Sequence, residues 1–270
     1  MKKFWMMMLA AATLVGCQKS EEVAPETDGA VTIQAALGFD VASRATLVEQ
    51  DGAYLARWSE DDLHMLKLNY IGATDGQIGL YDPTSIDLEN GGETATFTFQ
   101  MNLDHLAGET IQFLATENLY GLNPEVALLR VPDQQMQYWM GGFDFRADVL
   151  VSKLIESQKP QTGAVMPMQF TMTRLNALLK LSLANLDLTD DEGIESVTFS
   201  CEQPIAGVIN VNLADLDGVT YPVPFTLNES MAKTSVTLVK NGWDDYYFST
   251  LPTTLKAGES YTHPDRKSVV

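Results

Sequence analysis

The chain is predicted to fold as two all-β sandwich domains in tandem, on three observations. Apolar and polar residues alternate with a period of two in many short runs, turn dipeptides separate those runs, and helical periodicity is almost absent. Packed sheets accommodate such a pattern, whereas βαβ units would require amphipathic helices between the strands.

The first residues leave the fold. Met1 to Cys17 reads MKKFWMMMLAAATLVGC. Lys2 and Lys3 form a basic start, and the apolar stretch from Phe4 to Val15 is shorter than the about 20 residues a spanning helix takes. The ending Leu14-Val15-Gly16-Cys17 resembles a bacterial lipobox. That marks 1–16 as a lipoprotein signal peptide and Cys17 as the lipid attachment; an ordinary secretory signal with an incidental Cys is the alternative. Two or more acyl chains on Cys17 would make a stable membrane anchor. Residues 17–29, rich in Glu, Thr, Pro and Asp, are too polar to bury a core and read as a flexible tether.

Val31, Ile33, Ala35, Leu37, Phe39 and Val41 then alternate with Thr32, Gln34, Ala36, Gly38 and Asp40, which predicts a long strand with one buried face. The same alternation returns at Phe97, Phe99, Met101 and Leu103, and at Ile111, Phe113 and Ala115. Later runs are Leu179 to Leu183, Val197 to Cys201, Ile209 to Leu213, and Val236 with Leu238. Asp75-Gly76, Asn90-Gly91-Gly92, Gly141-Gly142, Asp217-Gly218 and Asn241-Gly242 supply turns. A short helix is expected over Asp148 to Gln158, with Leu150, Leu154 and Ile155 on one face, although Val149 to Val151 fits a strand equally. The Pro, Gly and polar residues around 158–163 mark a linker. The expected domains are therefore 30–157 and 164–262, with 263–270 (HPDRKSVV) an irregular tail because it lacks alternation and contains Pro264.

Acidic residues outnumber basic ones by 36 to 17, a formal charge of -19. A phosphate backbone repels such a chain, so no nucleic acid partner is expected, and direct adsorption of the folded body to anionic lipid is equally disfavoured. Once Cys17 is acylated, Cys201 has no partner for an intrachain disulfide. It shares parity with Val197 and Phe199 and reads as a small buried hydrophobe.

No catalytic apparatus emerges. His64, His105 and His263 lie at no metal-ligand spacing, and no nucleophile elbow or phosphate-binding loop is present. Asp187 to Gly193 has oxygen ligands at alternate places, but its Gly falls one position late for an EF-hand and the twelfth position is Thr198. Neither an enzyme, a metal nor a cofactor is therefore expected. Trp58, Tyr138, Trp139, Trp243, Tyr246 and Tyr247 are either core plugs or a sugar-binding surface. Trp243 and Tyr246, beside the Asn241-Gly242 turn, are the favoured surface contacts.

The order of several segments resembles the fimbrillin-like lipoproteins of Bacteroidota, the group of major and minor pilins and their Mfa-like relatives. The segments are the lipobox at Cys17, the first strand leading into Ser43-Arg44-Ala45-Thr46, and Trp58-Ser59-Glu60-Asp61-Asp62. Asp148 to Val151, Phe170 to Leu175, Pro204 to Gly207 and Leu251 to Gly258 follow in the same order. Met172 stands where many relatives have His.

The resemblance implies transthyretin-like, Greek-key sandwiches and a lipid-anchored place on the outer membrane, in a fimbrium or pilus that serves cell adhesion. Gln18 to Glu22 is similar to the family's surface-export signal; a plain polar tether is the alternative. Processing would fall between Arg44 and Ala45. The strand Val31, Ile33, Ala35, Leu37, Phe39 and Val41 would then be exchanged for one from a neighbouring fimbrial subunit, of the same or another kind, since β-addition satisfies both the open ladder and the apolar slot. Two rival readings stand beside this: a lipid-anchored monomer with Arg44 merely solvated, and a surface monomer that binds a host glycan or protein.

Overall fold

The computed structural model describes residues 30–39, 46–50, 53–136, 144–182, 196–216, 223–239, 245–252 and 260–264. These contain strands and short 3-10 helices, and no α-helix. The strands open with β1 (Ala30–Phe39), β2 (Thr46–Gln50), β3 (Ala53–Arg57), β4 (Leu66–Gly72), β5 (Ile78–Tyr81), β6 (Ser85–Glu89) and β7 (Thr94–Asn102). The middle of the chain forms β8 (Thr110–Glu117), β9 (Leu119–Leu122), β10 (Val126–Val131), β11 (Gln134–Met136), β12 (Leu150–Ser152), β13 (Ile155–Gln158) and β14 (Val165–Arg174). The remainder forms β15 (Ala177–Ser182), β16 (Ser196–Ser200), β17 (Gly207–Asn212), β18 (Thr226–Leu227), β19 (Ser235–Val239), β20 (Asp245–Thr250) and β21 (Ser260–Pro264). The predicted all-β class is thus observed.

The largest sheet runs β5-β4-β8-β12-β14-β1-β7-β6, with β13 also on β8. Its two ends are consecutive in sequence, since only Asp82, Pro83 and Thr84 join β5 to β6. The sheet therefore folds over on itself. Tyr81 ties the ends together: its hydroxyl donates to the Asn102 carbonyl at 3.0 Å and accepts from the Asn102 N–H at 3.2 Å. Inside lies the first core, where Leu66, Leu68 and Phe113 of one leaf meet Ile33, Leu37, Phe97, Phe99 and Phe170 of the other.

A second core gathers Leu129 of β10, Ile209 and Val211 of β17, Val236 and Leu238 of β19, and Phe248 of β20. It also takes Ile71 and Leu114 from the reverse faces of β4 and β8. Three smaller sheets, β18-β17-β10-β9, β11-β19-β16 and β20-β15-β21, surround it, while among the described residues β2 and β3 pair with each other alone.

The chain passes strands between the two cores. β9 and β10 precede residue 158 yet build the second, whereas β14 follows 163 and builds the first. Residues 158–163 are fastened to the first core: the Lys159 N–H donates to the Glu109 carbonyl at 2.7 Å, and the Gly163 N–H to the Ala30 carbonyl at 2.9 Å.

Two expectations are corrected. The helix over Asp148 to Gln158 is replaced by β12 and β13, paired to β14 and β8; its apolar residues gain more by entering a sheet than a lone short helix would. His263 and Pro264 end strand β21 instead of beginning an irregular tail. Among the described residues β21 has a partner on one side alone, and at such an edge a residue lacking an N–H is tolerated.

The Asn90-Gly91-Gly92 turn is bound to the segment that follows β3. The Trp58 N–H donates to the Gly92 carbonyl at 2.8 Å, and Arg57 donates to the carbonyls of Asn90 and Gly91. Gly92 has φ +86°, and a Cβ there would run into the Trp58 carbonyl oxygen. Gly91, at φ +66°, would meet only the end of the Arg57 side chain. Gly92→Ala is expected to cost at least about 2 kcal/mol and Gly91→Ala about 1 kcal/mol, measured by urea unfolding. Equal costs would contradict the packing of this turn.

Candidate functional site

The predicted exchangeable strand is β1, and its surroundings define the site. It is an interior strand: Thr32 to Phe39 pair in parallel with Val165 to Met172 of β14, and Ala30 to Leu37 pair antiparallel with β7. Val31, Ile33, Ala35 and Leu37 are all buried in the first core, while Gln34 and Ala36 are exposed. Alternation alone produces this division, because successive side chains of a strand point to opposite faces. Ala35 is the small member of the row, opposite Phe97 on one side and Met168 on the other.

Phe39 closes the row and stacks on Trp58, with ring centroids 4.4 Å apart and 24° between planes. Trp58 meets Phe97 edge-on at 5.3 Å and is buried. Of the two readings offered by the sequence, Trp58 therefore takes that of a core plug.

Beyond the end of β1 lies a polar cluster that sequence reasoning missed. Asp62, Glu117, Asp148 and Arg174 are each at most 3% exposed. The ladders bring them together: Glu117 is opposite Leu66, the first residue of β4, and Arg174 is opposite Leu150, two residues after Asp148. Asp62 belongs to the 3-10 turn Glu60–His64 just after Trp58, where its carboxylate accepts the Ser59 N–H at 2.6 Å. Arg174 grips Asp148 with two nearly parallel bonds, Nε to Oδ1 at 2.6 Å and Nη2 to Oδ2 at 2.5 Å.

Asp148 is itself held by its backbone neighbours. The Val149 N–H donates to Asn176 Oδ1 at 2.9 Å, Ser249 Oγ donates to the Ala147 carbonyl at 2.5 Å, and the Asn118 amide donates to the Asp148 carbonyl. Among the described residues, the buried Glu117 Oε1 has no hydrogen-bond partner.

Burial dominates the electrostatics. It pushes the Asp62 carboxyl up to about 7, against the lowering effect of its Ser59 hydrogen bonds and with further upward pressure from Asp148 and Asp61. Glu117 is raised well above the usual carboxylate range, first by burial, then by the charges of Asp62 and Asp148, against Arg174. Burial also raises Asp148, with the Arg174 charge and hydrogen bonds opposing it.

Cys17, Val41, Arg44, Ala45 and Trp243 lie outside the described residues, as do Asp187 to Gly193, Tyr138 and Trp139. Tyr246 lies on β20, its backbone opposite Leu181. Cys201 is half-buried against the second core, just past the end of β16. His64 is exposed and ends the 3-10 turn. His105 Nε2 lies 2.7 Å from the Tyr70 hydroxyl. Among the described residues, no group of three His, Cys, Asp or Glu is arranged to hold a metal ion, and no helix is long and apolar enough to cross a membrane.

No protein-family model matches the chain, and no curated protein matches it. Among solved structures it is similar to a candidate cell adhesion protein from Bacteroides uniformis, at 16% identity and a TM-score of 0.40, covering 84% of this chain and 75% of that one. It is also similar to a fimbrial assembly protein from Parabacteroides distasonis, at 8% identity and TM-score 0.36, covering 87% and 90%. The tip fimbrial protein Mfa3 from Porphyromonas gingivalis follows at 10% identity and TM-score 0.34, covering 82% and 68%.

Proposed function

We propose that the chain is a fimbrillin-like surface lipoprotein, a structural or accessory subunit of a fimbria assembled by β-strand exchange and contributing to cell adhesion. The apolar slot that holds β1 supports this reading, and because β1 is central and not a peelable edge, it can leave only as an incoming strand replaces it. β1 is the first described strand of the chain, yet it lies in the interior of its sheet, between β14 and β7. A cut in the segment that follows it would sever its covalent link to the rest of the body. Its departure would leave two open ladders flanking an apolar slot, which a strand from another subunit satisfies.

Energetics favour replacement over simple loss. Val31, Ile33 and Leu37 each contribute about 1.5–3 kcal/mol by burial, in a fold whose whole stability is on the order of 5–15 kcal/mol. An emptied slot would leave little of that. In this reading Cys17 carries the anchor to the outer membrane, and Arg44-Ala45 is the bond that processing cuts. The adhesive role follows the sequence resemblance.

The test is to treat the full chain with an arginine-specific protease. A defined cut at Arg44 followed by an oligomer ladder is expected, with both absent in Arg44→Gln. A chain that stays uncut and monomeric rejects the proposal and favours the monomeric glycan- or host-protein binder, with Trp243 and Tyr246 as contacts.

A further inference from the structure

We propose that the Asp62–Glu117–Asp148–Arg174 cluster is a proton-operated latch on β1, tight while the cluster holds a proton and loosened when that proton passes to solvent. The inference rests on the exchange role proposed for β1 and assigns its regulation.

The charge count comes first. Three carboxyl groups and one guanidinium share a site from which water is excluded, and the fork of Arg174 is turned to Asp148. Glu117 and Asp62 are left without an ion-pair partner among the described residues, and Glu117 Oε1 lacks even a hydrogen bond. An isolated buried charge is costly, so the fold retains a carboxylic acid there. The raised Asp62 and Glu117 carboxyls agree with that state.

Among the described residues, the ion pairs on the surrounding elements are made with other partners. Asp61 adds negative charge beside Asp62. On β4, Lys67 is paired with Asp82; Arg130 of β10 is paired with Asp133, and Arg146 with Asp144.

Position makes the cluster a latch. Phe39, the last residue of β1, is opposite Met172 of β14, two residues before Arg174. Phe39 also stacks on Trp58, which is joined through Ser59 to the turn that Asp62 caps. Ionising the cluster sets Asp62, Glu117 and Asp148 against one another beside the 59–64 turn, on which Phe39 rests through Trp58. The direction is fixed by linkage. A carboxyl whose pKa is higher in the fold than in the open chain stabilises the fold fully below the ordinary carboxylate range, and that contribution is lost as pH climbs through about 7 for Asp62.

Hydrogen exchange of the full chain, corrected for intrinsic rates, tests this between pH 5.5 and 8. Protection of the 30–39 amides is expected to fall at least about tenfold relative to those of 207–212 in β17, since each pH unit of a shifted group is a factor of ten. Glu117→Gln and Asp62→Asn should each make that fall at least about threefold smaller than in the wild type, because one of the two titrating carboxyls is gone.

An unchanged wild-type ratio, or an equally steep fall in both variants, overturns the latch. Uptake of a synthetic peptide of residues 30–39 by protease-treated protein is scored separately. Its absence alongside a surviving pH effect rejects exchange as the purpose of β1 while leaving the proton dependence in place.

Discussion

Arg174→Ala is expected to lower the unfolding free energy by about 3–5 kcal/mol, because it removes one partner of a buried, doubly hydrogen-bonded ion pair. Arg174 is 3% exposed and Asp148 1%, so solvent cannot compensate the carboxylate left behind. The loss should exceed the pair's own value, since the buried carboxyls of Glu117 and Asp62 offer Asp148 no compensating positive charge. It should also grow with pH. At pH 5 the orphaned carboxyl groups can take protons and become neutral, whereas at pH 8 they are forced to ionise or the fold must open.

A double replacement, Arg174→Met with Asp148→Asn, should cost less than Arg174→Ala alone, because neither charge is then stranded. Urea unfolding at the two pH values checks all three expectations. A cost below about 1 kcal/mol, of the size of an exposed pair and equal at both pH values, would show that water reaches the cluster.

Phe97→Ala should cost about 3–5 kcal/mol, the usual range for emptying a large aromatic site. Phe97 is fully buried, lies opposite Ala35 across the β1–β7 ladder, and supports the edge of Trp58. Ala35 has no reach to fill the hole.

Ala35→Leu alone overpacks the row and should cost about 1–3 kcal/mol. The two changes together should cost less than their sum, because the longer side chain enters the space Phe97 vacates. A double-mutant cycle measures the coupling, expected at about 0.5–3 kcal/mol for residues in contact. Strict additivity would mean that positions 35 and 97 do not share one cavity, and the slot described for β1 would have to be redrawn.

β1, β7, β8 and β19 were legible from alternation because each has at least a stretch with one buried and one less buried face. The Asp75-Gly76 and Asn90 to Gly92 turns were legible because positive φ selects Gly and Asn. β4 escaped notice for a physical reason: from Leu68 to Gly72 it is covered on both faces, so its sequence LKLNYIG loses the alternating signature. β12 and β13 are short and imitate a helical stripe, and nothing local distinguishes the two until β14 and β8 supply partners. Sequence does not choose between core and surface for Trp58; the packing of Phe39 and Phe97 beside it does.

Composition and periodicity establish an acidic, all-β chain and the buried row Val31, Ile33, Ala35 and Leu37, because charge balance and strand parity are local properties of the polymer. Which strands flank that row, and that four ionisable side chains meet beyond its end, follow only from the packed structure. Asp62, Glu117, Asp148 and Arg174 are distant in sequence, and each alone reads as a solvated charge. Long-range strand pairing removes their water and makes them one electrostatic unit.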